Sequence, residues 1–133
     1  MKITDIQVTV REVPVKQQFR WREGLPGSGT SNITAQIDIL TDEGVTGTVM
    51  SSHGTIVADI VERRLKPALI GRDPLMKEDL WERVWEFDRI EETPMYFLGL
   101  ADIALWDLTA KVAGLPLYKV IGGYRDRIPA YAS

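Results

Sequence analysis

The stretch Ile33 to Val49, ITAQIDILTDEGVTGTV, decides how the rest of the chain is read. Ile33, Ala35, Ile37 and Ile39 alternate with Thr34, Gln36 and Asp38, the period of a strand with one buried face. Thr41-Asp42-Glu43-Gly44 has turn chemistry, and Gly44 can take the positive φ of a short hairpin loop. Val45, Gly47 and Val49 then restart the alternation as a return strand. Toward the N-terminus, Ile6, Val8 and Val10 alternate with Gln7, Thr9 and Arg11 and predict another strand. Between these two regions Pro14 to Thr30, PVKQQFRWREGLPGSGT, loses all periodicity and holds two prolines and three glycines. The first third therefore reads as a three-stranded antiparallel sheet interrupted by one long loop.

From Thr55 the period becomes helical, with Val57, Val61, Leu65 and Ala68 in one stripe. Pro67 lies inside the stripe, so a kink or an end is expected near Lys66. Asp73-Pro74 reads as an N-cap followed by proline at the first helical position. Leu80, Trp81, Val84, Trp85 and Phe87 give the next helix a broad apolar face. Thr93-Pro94 repeats the cap signal before a third helix, in which Leu98, Ala101, Leu105, Leu108 and Val112 recur at spacings of three and four. Gly114 and Pro116 stop it. Trp81, Trp85 and Trp106 sit at apolar helical positions and are expected in the core. After Gly122-Gly123, Ile128, Ala130 and Ala132 alternate once more, so a strand is expected to start there. It would either join the first sheet as a fourth strand or belong to chain that continues beyond residue 133. The fold class is α+β: a three-stranded meander followed by a three- to four-helix bundle.

Composition bounds the partners. The chain has 133 residues, 44% apolar and 26% charged, with a formal net charge of −3. With a pI near 5.2 it is a poor match for nucleic acid or an anionic membrane. It has no cysteine, which removes disulfides and thiolate metal sites. The apolar stretch around Pro94 to Ala101 is too short to span a bilayer, and MKITDIQVTV is no secretory signal. A cytoplasmic location is the expectation.

The chemistry-bearing residues are few. His53 is the single histidine, so a two-histidine metal site is out of reach and any histidine-assisted nucleophile rests on it alone. It sits between Ser51-Ser52 and Gly54, where a strand hands over to a helix, a place that suits function but also suits a plain surface histidine. Asp102 and Asp107 are five apart on a helix and point in different directions. Glu82, Glu86, Glu91 and Glu92 read as solvated charge. GLPGSG, Gly24 to Gly29, lacks the Lys-Ser/Thr pair and the following helix of a phosphate loop. A mobile lid suits it better: glycine hinges, with Arg20, Trp21 and Arg22 offering an aromatic plate and cations for a carboxylate. An irregular exposed loop is the alternative. Trp21 is the one tryptophan expected to touch a ligand, and no residue qualifies as catalytic or as a metal ligand.

Ala101 to Gly123, ADIALWDLTAKVAGLPLYKVIGG, closely resembles a signature of the mandelate racemase and muconate lactonizing branch of the enolase superfamily. The match includes Ala101, Asp102, Ala104, Trp106-Asp107-Leu108, Lys111, Gly114, Pro116-Leu117-Tyr118 and Gly122-Gly123. Lys66-Pro67 through Gly71-Arg72-Asp73-Pro74 is similar to the family's linker between its first two helices. Many members carry a Gly-Glu pair where this chain has Val49-Met50, so the resemblance brings no acidic contact from the third strand.

The resemblance implies that residues 1–123 form an enolase-like N-terminal capping domain. Residues 124–133 would then be the linker and first strand of a (β/α)₇β barrel whose remainder lies outside these 133 residues. It also implies a parent enzyme that removes a proton α to a carboxylate, with Mg²⁺ and the catalytic bases held by the barrel, by racemisation, cycloisomerisation or dehydration of an acid sugar. Mg²⁺ is expected in the parent and not on this chain. Arg20, Trp21, Arg22 and His53 fall on the two loops that would cover the barrel mouth and touch substrate. The barrel, a small carboxylic acid or acid-sugar substrate and a second copy of the chain are the expected partners, and this chain alone is expected to be inactive. A standalone small-anion-binding or interaction module using Arg20, Trp21 and Arg22 is the rival reading, and a small enzyme with His53 as base is a third.

Overall fold

The computed structural model describes residues 1–16, 22–24, 29–52 and 54–131. Three strands, β1 (Ile3–Pro14), β2 (Ser31–Thr41) and β3 (Thr46–Ser51), form one antiparallel sheet in the order β1-β2-β3. Register follows the alternation, with Ile6 opposite Ile39, Val8 opposite Ile37, and Ile37 opposite Val49. One face of the sheet therefore carries Ile6, Ala35, Ile37, Ile39 and Val49 into the core. The β2–β3 turn is tied by Thr41, whose hydroxyl donates to the Val45 carbonyl at 2.7 Å and accepts from the Val45 N–H at 3.2 Å. Gly44 has φ +78° there, as the turn chemistry requires.

Helices follow the sheet: α1 (Gly54–Ile60), a π-helical turn (Val61–Leu65), α2 (Lys66–Leu69), α3 (Lys77–Glu91), α4 (Met95–Ala113) and α5 (Leu117–Val120). Of these, α1, the π turn, α2 and α4 pack on the sheet, while α3 packs mainly on α4 and α2, and α5 on α4. The break expected near Lys66 takes the form of that π turn. Pro67 has no N–H for the Arg63 carbonyl, so the helix absorbs the loss by widening, and the Arg63 carbonyl accepts from Arg64 Nη1 at 3.2 Å instead. Val57, Val61, Leu65 and Leu69 stay buried through the change.

Two helix starts differ from their sequence signals. Asp73-Pro74 caps a turn ahead of α3, with Asp73 Oδ1 accepting from the Leu75 N–H at 3.0 Å and the Asp73 carbonyl from Met76 at 3.2 Å. The helix proper starts at Lys77, because the aspartate is spent on that turn. In α4, Pro94 is itself the N-cap with extended backbone, and Thr93 before it is buried. The expected stop holds: Gly114 takes φ +64° and its N–H returns to the last turn.

Trp81 and Trp85 correct the core expectation, being 37% and 43% exposed, while Trp106 is half-buried. Helix α3 meets the rest of the molecule along one line, and Leu80 and Val84 fill it. Positions 81 and 85 are about 100° around the helix from that line, off the buried seam. Residues 124–131 form no strand, and the sheet keeps three strands among the described residues. A strand needs a neighbour to bond, and residues 124–131 pair with none of the described strands.

Candidate functional site

The β1–β2 hairpin runs past the body of the sheet. Ser51, the end of β3, pairs with Ala35, and the hairpin continues four register positions further to Pro14 opposite Ser31. At about 3.3 Å per residue that is a stem of roughly 13 Å beyond the last β3 pair. The Val15 N–H donates to the Thr30 carbonyl at 2.9 Å and closes the base of the long loop. Among the described residues no helix covers this stem fully, and Val10, Val13 and Ile33 are partly exposed.

The second segment arrives at the same place. Gly54 opens α1 against the stem, where an added Cβ would stand 2.7 Å from Ile33 Cγ2 and 2.8 Å from the Thr34 carbonyl oxygen. Only a residue without a side chain allows that approach. The loop of residues 15–30 and the connection of residues 51–54 therefore leave from one end of the sheet. Of the candidate contacts, Arg22 is exposed in the long loop. Arg20, Trp21 and His53 lie outside the described residues. Tyr96, which the sequence reading missed, belongs to this end: its hydroxyl is 3.3 Å from Ser51 Oγ, and its ring meets Phe97 edge-on at 5.2 Å. Ser51 and Tyr96 are 45 residues apart, so no spacing rule connects them. A tyrosine in the first turn of a proline-started helix was the only available signal.

The acids are arranged for structure. Asp107 Oδ2 accepts the Thr48 N–H at 2.8 Å and pairs with Lys111 Nζ at 2.7 Å, while Lys111 donates to the Thr46 carbonyl at 2.8 Å. Helix α4 thus occupies the open hydrogen-bonding edge of β3, which would otherwise invite another strand. Gly47 makes the contact possible, since an added Cβ would lie 2.1 Å from the Ala104 carbonyl oxygen. On the opposite face of the sheet Asp38 accepts from Thr48 Oγ1 at 2.7 Å and from Gln36. Among the described residues no three acidic or histidine side chains converge, so they offer no set of ligands fit for Mg²⁺. What this end can supply is a projecting rim with cationic, hydroxyl and aromatic groups.

Comparison with known proteins identifies the arrangement. Residues 5–122 match the N-terminal domain of the mandelate racemase / muconate lactonizing enzyme family. The D-galactonate dehydratase family member RspA of Halomonas elongata is 40% identical over 101 residues, 71% of this chain and 25% of that protein. A D-mannonate dehydratase of Novosphingobium aromaticivorans is 36% identical over 109 residues, covering 77% of this chain and 27% of the relative. The solved D-glucarate dehydratase of Agrobacterium tumefaciens, complexed with magnesium, superposes with a TM-score of 0.79 at 31% identity over 95% of this chain and 34% of its own. An enolase-superfamily member from Polaromonas superposes with a TM-score of 0.82 at 27% identity, covering all of this chain and 36% of the other. The chain spans about a quarter of the length of the curated relatives it matches. The three-stranded antiparallel sheet followed by helices is thus the fold of a mandelate racemase / muconate lactonizing enzyme N-terminal domain, and the chain belongs to that family.

Proposed function

We propose that this chain is the substrate-facing N-terminal part of a longer cytoplasmic enzyme that dehydrates a sugar acid. The observation that carries the reading is the convergence of the 15–30 loop and the 51–54 connection at one end of the sheet, in a domain spanning a quarter of relatives named as acid-sugar dehydratases. The remaining three quarters of the parent would hold Mg²⁺, which stabilises the enediolate formed when a proton leaves the carbon α to a carboxylate. This chain would supply the cover. Its stem would carry the long loop over the reacting centre, where it would exclude water. Arg20 and Arg22 would meet the substrate's carboxylate or hydroxyls through fork-shaped donors, Trp21 would pack on its carbon skeleton, and His53 would approach from the neighbouring connection. Residues 124–133 would lead into the barrel, whose strands would give that segment a partner.

The test is to express the polypeptide with the residues its gene encodes beyond position 133 and assay a panel of sugar acids with Mg²⁺. Turnover by the longer protein, none by residues 1–133, and a KM raised about tenfold or more by Arg20→Ala or Trp21→Ala would support the proposal. Mg²⁺-dependent turnover by the 133-residue chain alone would overturn it.

A further inference from the structure

Asp102 has no task in the proposed cover. It lines a groove of about 230 Å³ between α3 and α4 together with Lys77, Glu78, Trp81 and Trp106. Behind it lies a small apolar cavity bounded by Leu80, Ala101 and Leu105. The Lys77 ammonium donates to Thr109 Oγ1 at 3.2 Å and rests 4.2 Å over the Trp106 ring. Neither the Asp102 nor the Glu78 side chain has a hydrogen bond or ion pair among the described residues. Two carboxylates and one ammonium thus line the groove. Burial, and next the repulsion of Glu78, push the Asp102 carboxyl above the usual range, and the pull of Lys77 does not offset them. Trp81 also lines the groove and is 37% exposed.

We infer that this groove is a socket for an arginine side chain carried by the polypeptide that follows residue 133 in the longer parent. The inference rests on the proposed function only for the arginine's source. A planar guanidinium can lie against an indole and fork onto a carboxylate at once, which a compact ammonium cannot. The chain already stacks such a pair on the same helix, where the Arg89 guanidinium lies 5.2 Å from the Trp85 ring centre. The formal excess of negative charge calls for a cation, and the exposed tryptophan is the kind of anchor that dominates packed interfaces.

Two measurements test it. Titration of the 133-residue chain with arginine amide, followed by tryptophan fluorescence, should give a saturable change. Lysine amide, or arginine amide on Asp102→Asn, should bind at least threefold more weakly, and equal responses would overturn the socket. The second reads opposite signs from one substitution. Asp102→Asn removes an uncompensated half-buried charge from the short chain and should raise its Tm by roughly 3 °C. In the longer parent it strands the arginine and should lower the Tm. A rise in both proteins, or a fall in the short chain, overturns the inference. A stop codon directly after residue 133 would sink the proposed function and the arginine's source, while the amide titration would still judge the groove's chemistry.

Discussion

At the scale of single residues, the family signature proves to be a fastening between a helix and a strand edge. Gly47, Ala104, Asp107, Leu108 and Lys111 are five parts of one contact. Backbone meets backbone at Gly47, the carboxylate takes the Thr48 N–H, and the ammonium takes the Thr46 carbonyl. Gly47→Ala should therefore be severe, because its Cβ meets the Ala104 carbonyl and the Leu108 Cβ within the core. A loss of about 3 kcal/mol in urea unfolding is expected. Gly114→Ala makes the control. Its Cβ meets nothing within 4 Å, and the cost is the left-handed φ of +64° alone, about 1 kcal/mol. If the two substitutions cost the same, the helix is not seated as closely as the geometry says. Asp107→Ala should cost about 1–2 kcal/mol, since it strands a strand-edge N–H and its lysine partner; a change under 0.3 kcal/mol would mean water replaces the carboxylate without loss.

At the scale of elements, the parts that obey a period were legible and the parts that obey contact were not. Alternation gave the buried face shared by Ile6, Ile37 and Val49, because each of those side chains faces one sheet surface with one fate, and the register itself came from the structure. The apolar count on α3 misled over Trp81 and Trp85, since sequence shows that a helix face is apolar and not how wide a strip its neighbours cover. The π turn could be anticipated only as a break, because Pro67 removes a donor without saying how the helix will absorb it. For the candidate site, composition marked the long loop that holds Arg22, while Arg20 and Trp21 of that loop and His53 lie outside the described residues. The contact of Tyr96 with Ser51 was missed because it is purely tertiary. Helix α5 repeats the lesson about coverage. Leu117 and Ile121 are 36% and 61% exposed, and Ile128 beyond them 73%. Such a run of exposed apolar side chains is a candidate contact surface, so the chain should self-associate in light scattering. The pair Leu117→Ser and Ile121→Ser should shift it toward monomer without lowering its Tm by more than a few degrees. A wild-type chain that is monodisperse and monomeric at 100 µM would contradict this.

At the scale of the whole molecule, the charges set a pH profile with two limbs of opposite sign. The Asp79 carboxyl is held below its ordinary range by the Arg83 guanidinium, with burial opposing. Asp5 is also held low: burial pushes it up, and the Ile6 N–H, Gln7 and Lys66 together outweigh that push. A carboxyl whose folded value lies below its unfolded value of about 3.9 adds stability above that pH, and loses it as the pH falls toward the folded value. Asp102 runs the other way. Its folded value lies above 3.9, so its charge is a burden at neutral pH, relieved as the pH drops through the raised value. Asp79→Asn should therefore be less stable than wild type at pH 7, and the gap should close only below about pH 4. Asp102→Asn should be more stable at pH 7, and its gap should close earlier in the descent, while Asp79 is still ionised. Urea midpoints for the three proteins at half-unit steps from pH 7 to pH 3 separate the two crossings. If both gaps close together, or the Asp102 gap has the same sign as that of Asp79, the carboxylate on α4 is compensated within this chain.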